Sequence, residues 1–446
     1  MTLSRKIGRE PLAPARALSV GLSRRQVIRG VSGAAATSLL VNVPTRETQA
    51  RVTLPPGFAI EDTLWLVGAV PGEGYVAQAI GPDASDAGAI RGIHHAVARS
   101  VDGRSIFDVS ATAQGRTLLR VYSADSRKIS SRIEGAFEWP AEPDLDISVS
   151  ASGTSVLVTG ICYVGRSPKY VVKHAPGAPR QAITSMTWQA LAATEVFDMN
   201  TGRVGSFADP AEVQLGAQIR GAHLSDEIIE LTNGHAGSRI SSSPATSVAS
   251  RVSRTRSDDL QLVHVSPAGH AFFLTSGHDL MIRQPGGRMA EARLPLDVRD
   301  VRAKPYPVSV VNTSATTVAV VDASRQFLAT VDATTGGVSA VRRLSTAPVA
   351  ASGGNPVGAA VAVDRQRRRL YVLDKSGVSG GVWIHDADTL EVLDRWYSSV
   401  PFGLVWVAPA SGVVFLQTAE GPVGVHDPGG ALIAFVPSEL GCARAI

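Results

Sequence analysis

The chain has 446 residues, 44% hydrophobic and 18% charged, with 43 Gly and 26 Pro, which is typical of a folded protein with many tight turns and excludes a disordered one. Residues 1–50 carry eight Lys or Arg and two Asp or Glu, whereas the remainder carries 35 basic and 37 acidic residues, a net charge of −2. The overall charge of +4 therefore arises in the leader, which excludes a general nucleic-acid-binding protein.

Residues 1–50 have the order of an export signal. The run Ser23-Arg24-Arg25-Gln26-Val27-Ile28-Arg29-Gly30 resembles the twin-arginine motif, with Arg24 and Arg25 as the paired arginines. The apolar stretch Val31–Val43 that follows is too short to span a bilayer, and a candidate cleavage site ends at Ala50. A basic disordered tail is the alternative. We expect a protein that uses the twin-arginine translocase and is then free in the periplasm, the cell wall or the medium, with no stable membrane anchor.

Residues 51–446 repeat one pattern, in which an apolar strand, a short polar or Gly-containing turn and a second apolar strand follow one another. A Gly or a polar pair supplies the positive φ that a tight hairpin needs. Neighbouring turns are 43 to 52 residues apart, except for one spacing of 73. The seven turns are centred on residues 103, 153, 226, 269, 315, 367 and 412.

Each repeat has room for four short strands, and one such unit cannot bury both of its apolar faces alone. Units stacked face to face around an axis solve this problem, and the result is a β-propeller. Through phrases such as Ser100-Val101-Asp102-Gly103-Arg104, the chain resembles the seven-bladed propellers of the YVTN-repeat and amine-dehydrogenase heavy-chain kind over about residues 60–437. The resemblance implies an all-β fold of seven four-stranded antiparallel blades, and it does not specify an activity.

Three segments depart from the repeat. Residues 62–80 lie too close to the first turn to form a blade, so we expect them to add a closing strand to the last blade. Residues 160–190 contain three Pro and predict an inserted surface excursion. Residues 236–258 are rich in Ser and Arg without alternation, which favours a solvated loop over a site for phosphate or an acidic partner.

Few residues form a known chemical motif. Gly377-Val378-Ser379-Gly380-Gly381 fits the Gly-x-Ser-x-Gly pattern of hydrolases but lies between two strand-like segments, which favours a hairpin loop over a nucleophile elbow. Motifs for zincins, thiol redox centres, covalent haem and nucleotide phosphates are absent from the sequence, and no metal site is predicted. Cys162 and Cys442 are candidates for a disulfide that ties the C-terminal region to the body.

Ligand sites of propellers gather where the inner strands begin, at the mouth of the central channel. Counting back about nine residues from each turn predicts the side chains at that mouth. Adjacent strand residues point to opposite faces, so His94 and His95 are not expected to share one metal ion. Ordinary hydrogen-bonded residues, a small-molecule or peptide site, and a metal or catalytic centre remain as alternatives. The predicted positions are His94, His95, Asp144, Asp146, Arg220, His223, Gln261, Tyr306, Asn355 and Phe402.

The leading hypothesis is an exported propeller that acts as a binding or scaffold module for a protein, a peptide or a small ligand outside the cytoplasm. The alternative is an enzyme or redox-complex subunit that resembles lactonase-type or quinoprotein-type propellers, with His94, Asp144, Arg220 and His223 around the channel. Twin-arginine export permits a cofactor without implying one, so the sequence identifies neither a cofactor nor a catalytic residue.

Overall fold

The computed structural model describes most of the chain after residue 59. The predicted signal segment, residues 1–50, lies outside the described residues and stays a prediction. The described ranges are 60–150, 152–173, 181–213, 219–223, 227–234, 237–244, 252–255, 260–275, 279–294, 308–322, 326–344, 360–376, 379–398, 402–418, 421–438, 440 and 443–446.

The first described elements are a short 3-10 helix and three strands. The helix spans Ile60–Asp62 and leads directly into an antiparallel meander. The strands are β1 (Leu64–Val70), β2 (Gly74–Ile80) and β3 (Asp86–Ile93).

Seven antiparallel sheets of four consecutive strands follow within the described ranges. The first three contain β4 (Ala96–Arg99), β5 (Ser105–Ala111), β6 (Arg116–Ser123), β7 (Ile129–Glu138); β8 (Asp144–Val149), β9 (Ser155–Lys173), β10 (Gln181–Asp198), β11 (Val204–Val213); and β12 (Ile219–His223), β13 (Glu227–Gly234), β14 (Gly237–Pro244), β15 (Val252–Thr255). The next two contain β16 (Leu260–Val265), β17 (Ala271–Thr275), β18 (Leu280–Arg283), β19 (Met289–Ala292); and β20 (Val308–Asn312), β21 (Thr317–Asp322), β22 (Phe327–Asp332), β23 (Val338–Arg343). The last two contain β24 (Val361–Asp364), β25 (Arg369–Ser376), β26 (Ser379–Asp386), β27 (Val392–Ser398); and β28 (Phe402–Val407), β29 (Val414–Thr418), β30 (Val423–His426), β31 (Leu432–Val436).

The seven predicted blades of an all-β propeller are confirmed by these sheets. Each predicted turn lies between the first and second strand of one sheet. Gly103 and Gly412, with φ of 72° and 73°, occupy two of these turns, because glycine adopts this left-handed conformation without a steric penalty.

An eighth four-stranded sheet joins the two ends of the described chain. A two-residue strand, β32 (Arg444–Ala445), pairs with β1, so the sheet has the order β3-β2-β1-β32. The expectation that residues 62–80 add a strand to the last blade is wrong. Those residues form two strands of this additional sheet, because β32 supplies the pairing partner that the local sequence lacks.

The first strands of successive sheets contact one another around the axis. Contacts join β4 to β8, β8 to β12, β16 to β20, β20 to β24 and β24 to β28, and β28 also contacts β32. We call the end at which these first strands begin the mouth end, and the opposite end, with Gly103 and Gly412, the turn end. In the additional sheet, β32 takes the inner position.

The two irregular segments contain strands. Residues 155–173 of β9 pair with residues 181–198 of β10, so the predicted excursion at 160–190 is a long two-stranded hairpin where it is described. The predicted solvated loop at 236–258 contains β14 and β15, which pair with each other. Backbone hydrogen bonds to a neighbouring strand stabilise a polar outer strand without an apolar face, so Ser and Arg content does not exclude one.

The core consists of apolar layers between neighbouring sheets. Phe107 of β5 and Phe197 of β10 pack in one layer, and Phe272 of β17 and Val320 of β21 pack in another. All four side chains are nearly or fully buried. The sheets therefore cover each other's faces, as the repeat pattern predicts. Among the described residues, no helix has the length and apolar character needed to cross a membrane.

Polar contacts join the first and last blades at the turn end. The carboxylate of Asp62 accepts the backbone N–H groups of Ala410 and Ser411, at 2.7 and 2.9 Å. The guanidinium of Arg99 donates to the carbonyl oxygens of Ile60 and Thr63, at 2.7 and 2.9 Å. The short helix before β1 is thus held between the turns of two blades.

Candidate functional site

The predicted site positions lie at or near the mouth end wherever they are described, except His223, which ends β12 and so lies at the turn end, because counting back from the turn at 226 stops short of the strand's first residue. His94 and His95 form the connection from β3 to β4, Asp144 and Phe402 begin β8 and β28, and Gln261 is the second residue of β16. Arg220 and His223 lie on β12, but their side chains are outside the description. Tyr306 and Asn355 lie outside the described residues.

Three predicted side chains come together at the mouth. Nε2 of His95 lies 3.4 Å from Oδ1 of Asp144, and the His94 and His95 ring centroids are 4.3 Å apart. The two rings lie side by side because His94 and His95 occupy a break between β3 and β4, whereas the alternation of a continuous strand would place them on opposite faces. Tyr75 of β2 adds a third ring, with its centroid 6.1 Å from that of His95.

A buried ion pair fixes the backbone of this cluster. Asp108 of β5 is fully buried; its Oδ1 accepts the backbone N–H of His94 at 2.7 Å, and its Oδ2 forms an ion pair with Arg120 of β6. Burial raises the pKa of Asp108, while the His94 hydrogen bond and Arg120 oppose that shift. Our sequence reasoning missed this pair, although a carboxylate inside the apolar strand Ile106–Val109 is a signal that it needs a partner.

Arg444 of β32, near the C-terminal end of the chain, also contacts this cluster. Its Nη2 donates to the carbonyl oxygens of His95 and Val97, at 2.5 and 3.1 Å. Burial lowers the pKa of Arg444, and the nearby Asp146 and Tyr75 oppose the shift. No feature of the repeat pattern predicts this residue, because it enters through the additional sheet.

The charge states follow from these surroundings. Burial lowers the pKa of His94, and His95 and Arg120 lower it further. The hydrogen bond from His95 lowers the pKa of Asp144. At neutral pH, therefore, His94 is neutral and Asp144 is ionised. The site thus offers an anionic acceptor and the neutral imidazole of His94, which together suit hydrogen bonding, cation binding and proton exchange.

Two other predictions concern single motifs. Ser376 pairs with Ser379 across the β25–β26 hairpin, so the Gly-x-Ser-x-Gly pattern has the strand-to-strand setting that we expected and not a nucleophile elbow. Cys162 is buried and forms no disulfide with any described residue, and Cys442 lies outside the described residues, so the disulfide stays a prediction. In the part of the chain that is described, no group of three or more His, Cys, Asp or Glu is arranged to hold a metal ion.

Comparisons with known proteins identify the fold. No protein-family model and no curated protein matches the chain. Among solved structures, it is similar to dihydro-heme d1 dehydrogenase NirN in complex with DHE, with 13% identity and a TM-score of 0.56 over 98% of this chain and 88% of NirN. BamB from Moraxella catarrhalis has 12% identity and a TM-score of 0.47, over 77% of this chain and 87% of BamB. Apo AztD from Citrobacter koseri has 11% identity and a TM-score of 0.48, over 84% of this chain and 95% of AztD. The similarity to NirN shows the fold alone, and with the sheets described above it places this chain among the β-propellers.

Proposed function

We propose that the protein is an exported β-propeller that binds a protein, a peptide or a small ligand at its channel mouth. The observation that carries this proposal is the pairing of His95 with Asp144, with 37% and 60% of their side chains exposed. Tyr75 and Arg444 reach the same site from β2 and β32. Side chains from four separate parts of the chain therefore meet around an accessible pair.

The contacts that fix the backbone around His95 favour a binding role. Asp108 holds the backbone of His94, and Arg444 holds the carbonyl groups of His95 and Val97. Groups that are fixed in this way lose little conformational freedom when a ligand binds, and preorganisation of this kind is typical of binding sites.

Native purification from the exported fraction tests this proposal. Mass spectrometry of the intact protein should detect a bound ligand, and that ligand should be lost in His95→Ala and Asp144→Ala variants. Asp125→Ala is the matched control, because Asp125 is exposed in the β6–β7 turn. A ligand that both site variants retain at the wild-type level would contradict the channel-mouth proposal.

A second candidate function is an enzyme or a redox-complex subunit. The specific observation is the pair of His95 and Asp144, because a histidine next to a carboxylate is able to transfer protons. NirN, whose structure is similar, was solved in complex with DHE, so a tetrapyrrole is one ligand class to look for. Recovery of stoichiometric metal or of a chromophore from the native protein would favour this function.

A further inference from the structure

We propose that the channel mouth binds an organic cation, the amine or guanidinium group of a peptide or small molecule, between Tyr75, His95, Glu142 and Asp144. This inference rests on the proposed function and names the ligand class of the same site.

The first observation is an accessible edge of carboxylates. Glu142 lies two residues before β8, and Asp144 and Asp146 lie on it; the first two are exposed and the third is half-buried. Asp144 keeps an exposed carboxylate although His95 lies against one of its oxygens. Ionised carboxylates accept several hydrogen bonds, so this edge has acceptor capacity for N–H donors.

The second observation is that the cations of the site already have protein acceptors. Arg120 is paired with the buried Asp108. Arg444 donates to two backbone carbonyl groups and lies near Asp146. An anionic ligand would have to compete with these contacts, whereas a cationic ligand would meet carboxylates.

The third observation is an exposed aromatic ring beside the carboxylates. The side chain of Tyr75 is 38% exposed beside His95, and ammonium and guanidinium groups bind over aromatic rings. The His94 ring lies against that of His95, with the centroids 4.3 Å apart. Burial lowers the pKa of His94, so at neutral pH this ring adds no positive charge that would repel a cation.

Peptide binding tests the inference. The probes are the blocked tripeptide acetyl-Gly-Lys-Gly-amide, its Nζ-acetylated form and acetyl-Gly-Glu-Gly-amide, titrated into the mature protein at low and high salt. We expect only the free lysine peptide to bind, and more weakly at high salt, because acetylation removes the charge and salt screens it. Equal or tighter binding of either other peptide, or no binding of the lysine peptide at millimolar concentration, would overturn the inference.

Point variants test whether the lysine peptide binds at the channel mouth. Asp144→Asn should weaken binding of the lysine peptide about three- to fivefold, the size expected for a half-exposed ion pair. Tyr75→Ala should weaken it while Tyr75→Phe retains it, because the ring and not the hydroxyl contacts the cation. Asp125→Asn should leave it unchanged, and unchanged binding by Asp144→Asn would overturn the inference. A neutral or anionic native ligand that His95→Ala loses would overturn the cation class and leave the channel-mouth function intact.

Discussion

Asp108 is the buried residue that fixes one side of the channel mouth. It holds Arg120 and the backbone of His94, so its loss would leave a largely buried guanidinium and a backbone N–H without partners. We predict that Asp108→Ala lowers the free energy of unfolding by about 3–5 kcal/mol, the cost of breaking a buried ion pair by removing one partner. Asp108→Asn keeps an acceptor for His94 and should lose less. Chemical denaturation measures both, and a loss below about 0.5 kcal/mol for Asp108→Ala, the effect expected of the Asp125→Ala control, would contradict the prediction.

His264 makes stability depend on pH. Burial lowers its pKa from 6.5 to about 4, so the unfolded chain binds a proton here at a higher pH than the folded one does. Stability is therefore lost as the pH falls from 6.5 towards 4, by at most about 3 kcal/mol. A His264→Gln variant should lack this part of the pH dependence. Denaturation midpoints at pH 7 and pH 4.5 provide the measurement, and parallel losses in both proteins would disprove it.

Side chains at the mouth were only partly predictable. Counting back from the turns found His94, His95 and Asp144, because all seven repeats begin their first strand at a similar distance from the turn. It missed Arg120, whose role depends on a cross-strand partner. It also missed Arg444, which lies outside every repeat and reaches the site only after the ring has closed.

Among the elements, the two-residue strand β32 both completes the additional sheet and contacts the channel mouth. It pairs with β1, and Arg444 within it binds the carbonyl groups of His95 and Val97. Removal of residues 443–446 should expose the edge of β1 and release these carbonyl groups. We predict faster amide hydrogen exchange in Leu64–Val70 and a lower melting temperature. Amide exchange at the wild-type rate in β1 would show that pairing with β32 does not stabilise β1.

The contact of Asp62 with the last blade provides a separate test at the turn end. Asp62→Ala removes both acceptors from Ala410 and Ser411, and we expect a loss of about 3–6 kcal/mol for two hydrogen bonds to a charged group. Because this contact lies at the end opposite the channel mouth, ligand affinity should stay unchanged in folded protein. An affinity change equal to that of Asp144→Asn would mean that the two ends are coupled.

The sequence predicted the seven internal blades and their turns because each is a local repeat. It failed at residues 62–80, because their partner Arg444 is far away in the chain and no local pattern points to it. It failed at residues 236–258 because backbone hydrogen bonds to a neighbouring strand stabilise an outer strand, and these do not require apolar side chains. Long-range pairing and polar outer strands are the two features that alternation and composition do not show.

At the scale of the whole molecule, we predict separate roles for residues 1–50 and for the propeller. Residues 1–50 are basic and the remainder has a net charge of −2. We predict that Arg24→Lys combined with Arg25→Lys stops export in a bacterium with a twin-arginine translocase, because the receptor reads the arginine pair. Arg16→Lys is the control and should export normally. Cell fractionation and immunoblotting measure the outcome, and export of the double variant would refute the signal assignment.

The contact of Asp62 with Ala410, 348 positions further along the chain, has a consequence for synthesis. At about 5–20 residues per second, a ribosome needs roughly 17 to 70 seconds to make the stretch between them. Throughout that interval β1 lacks its partner β32 on one edge, and the growing chain has not yet closed the ring of sheets. Such edges invite pairing with other chains. Because its partner β32 lies at Arg444–Ala445, this risk lasts until translation is nearly complete.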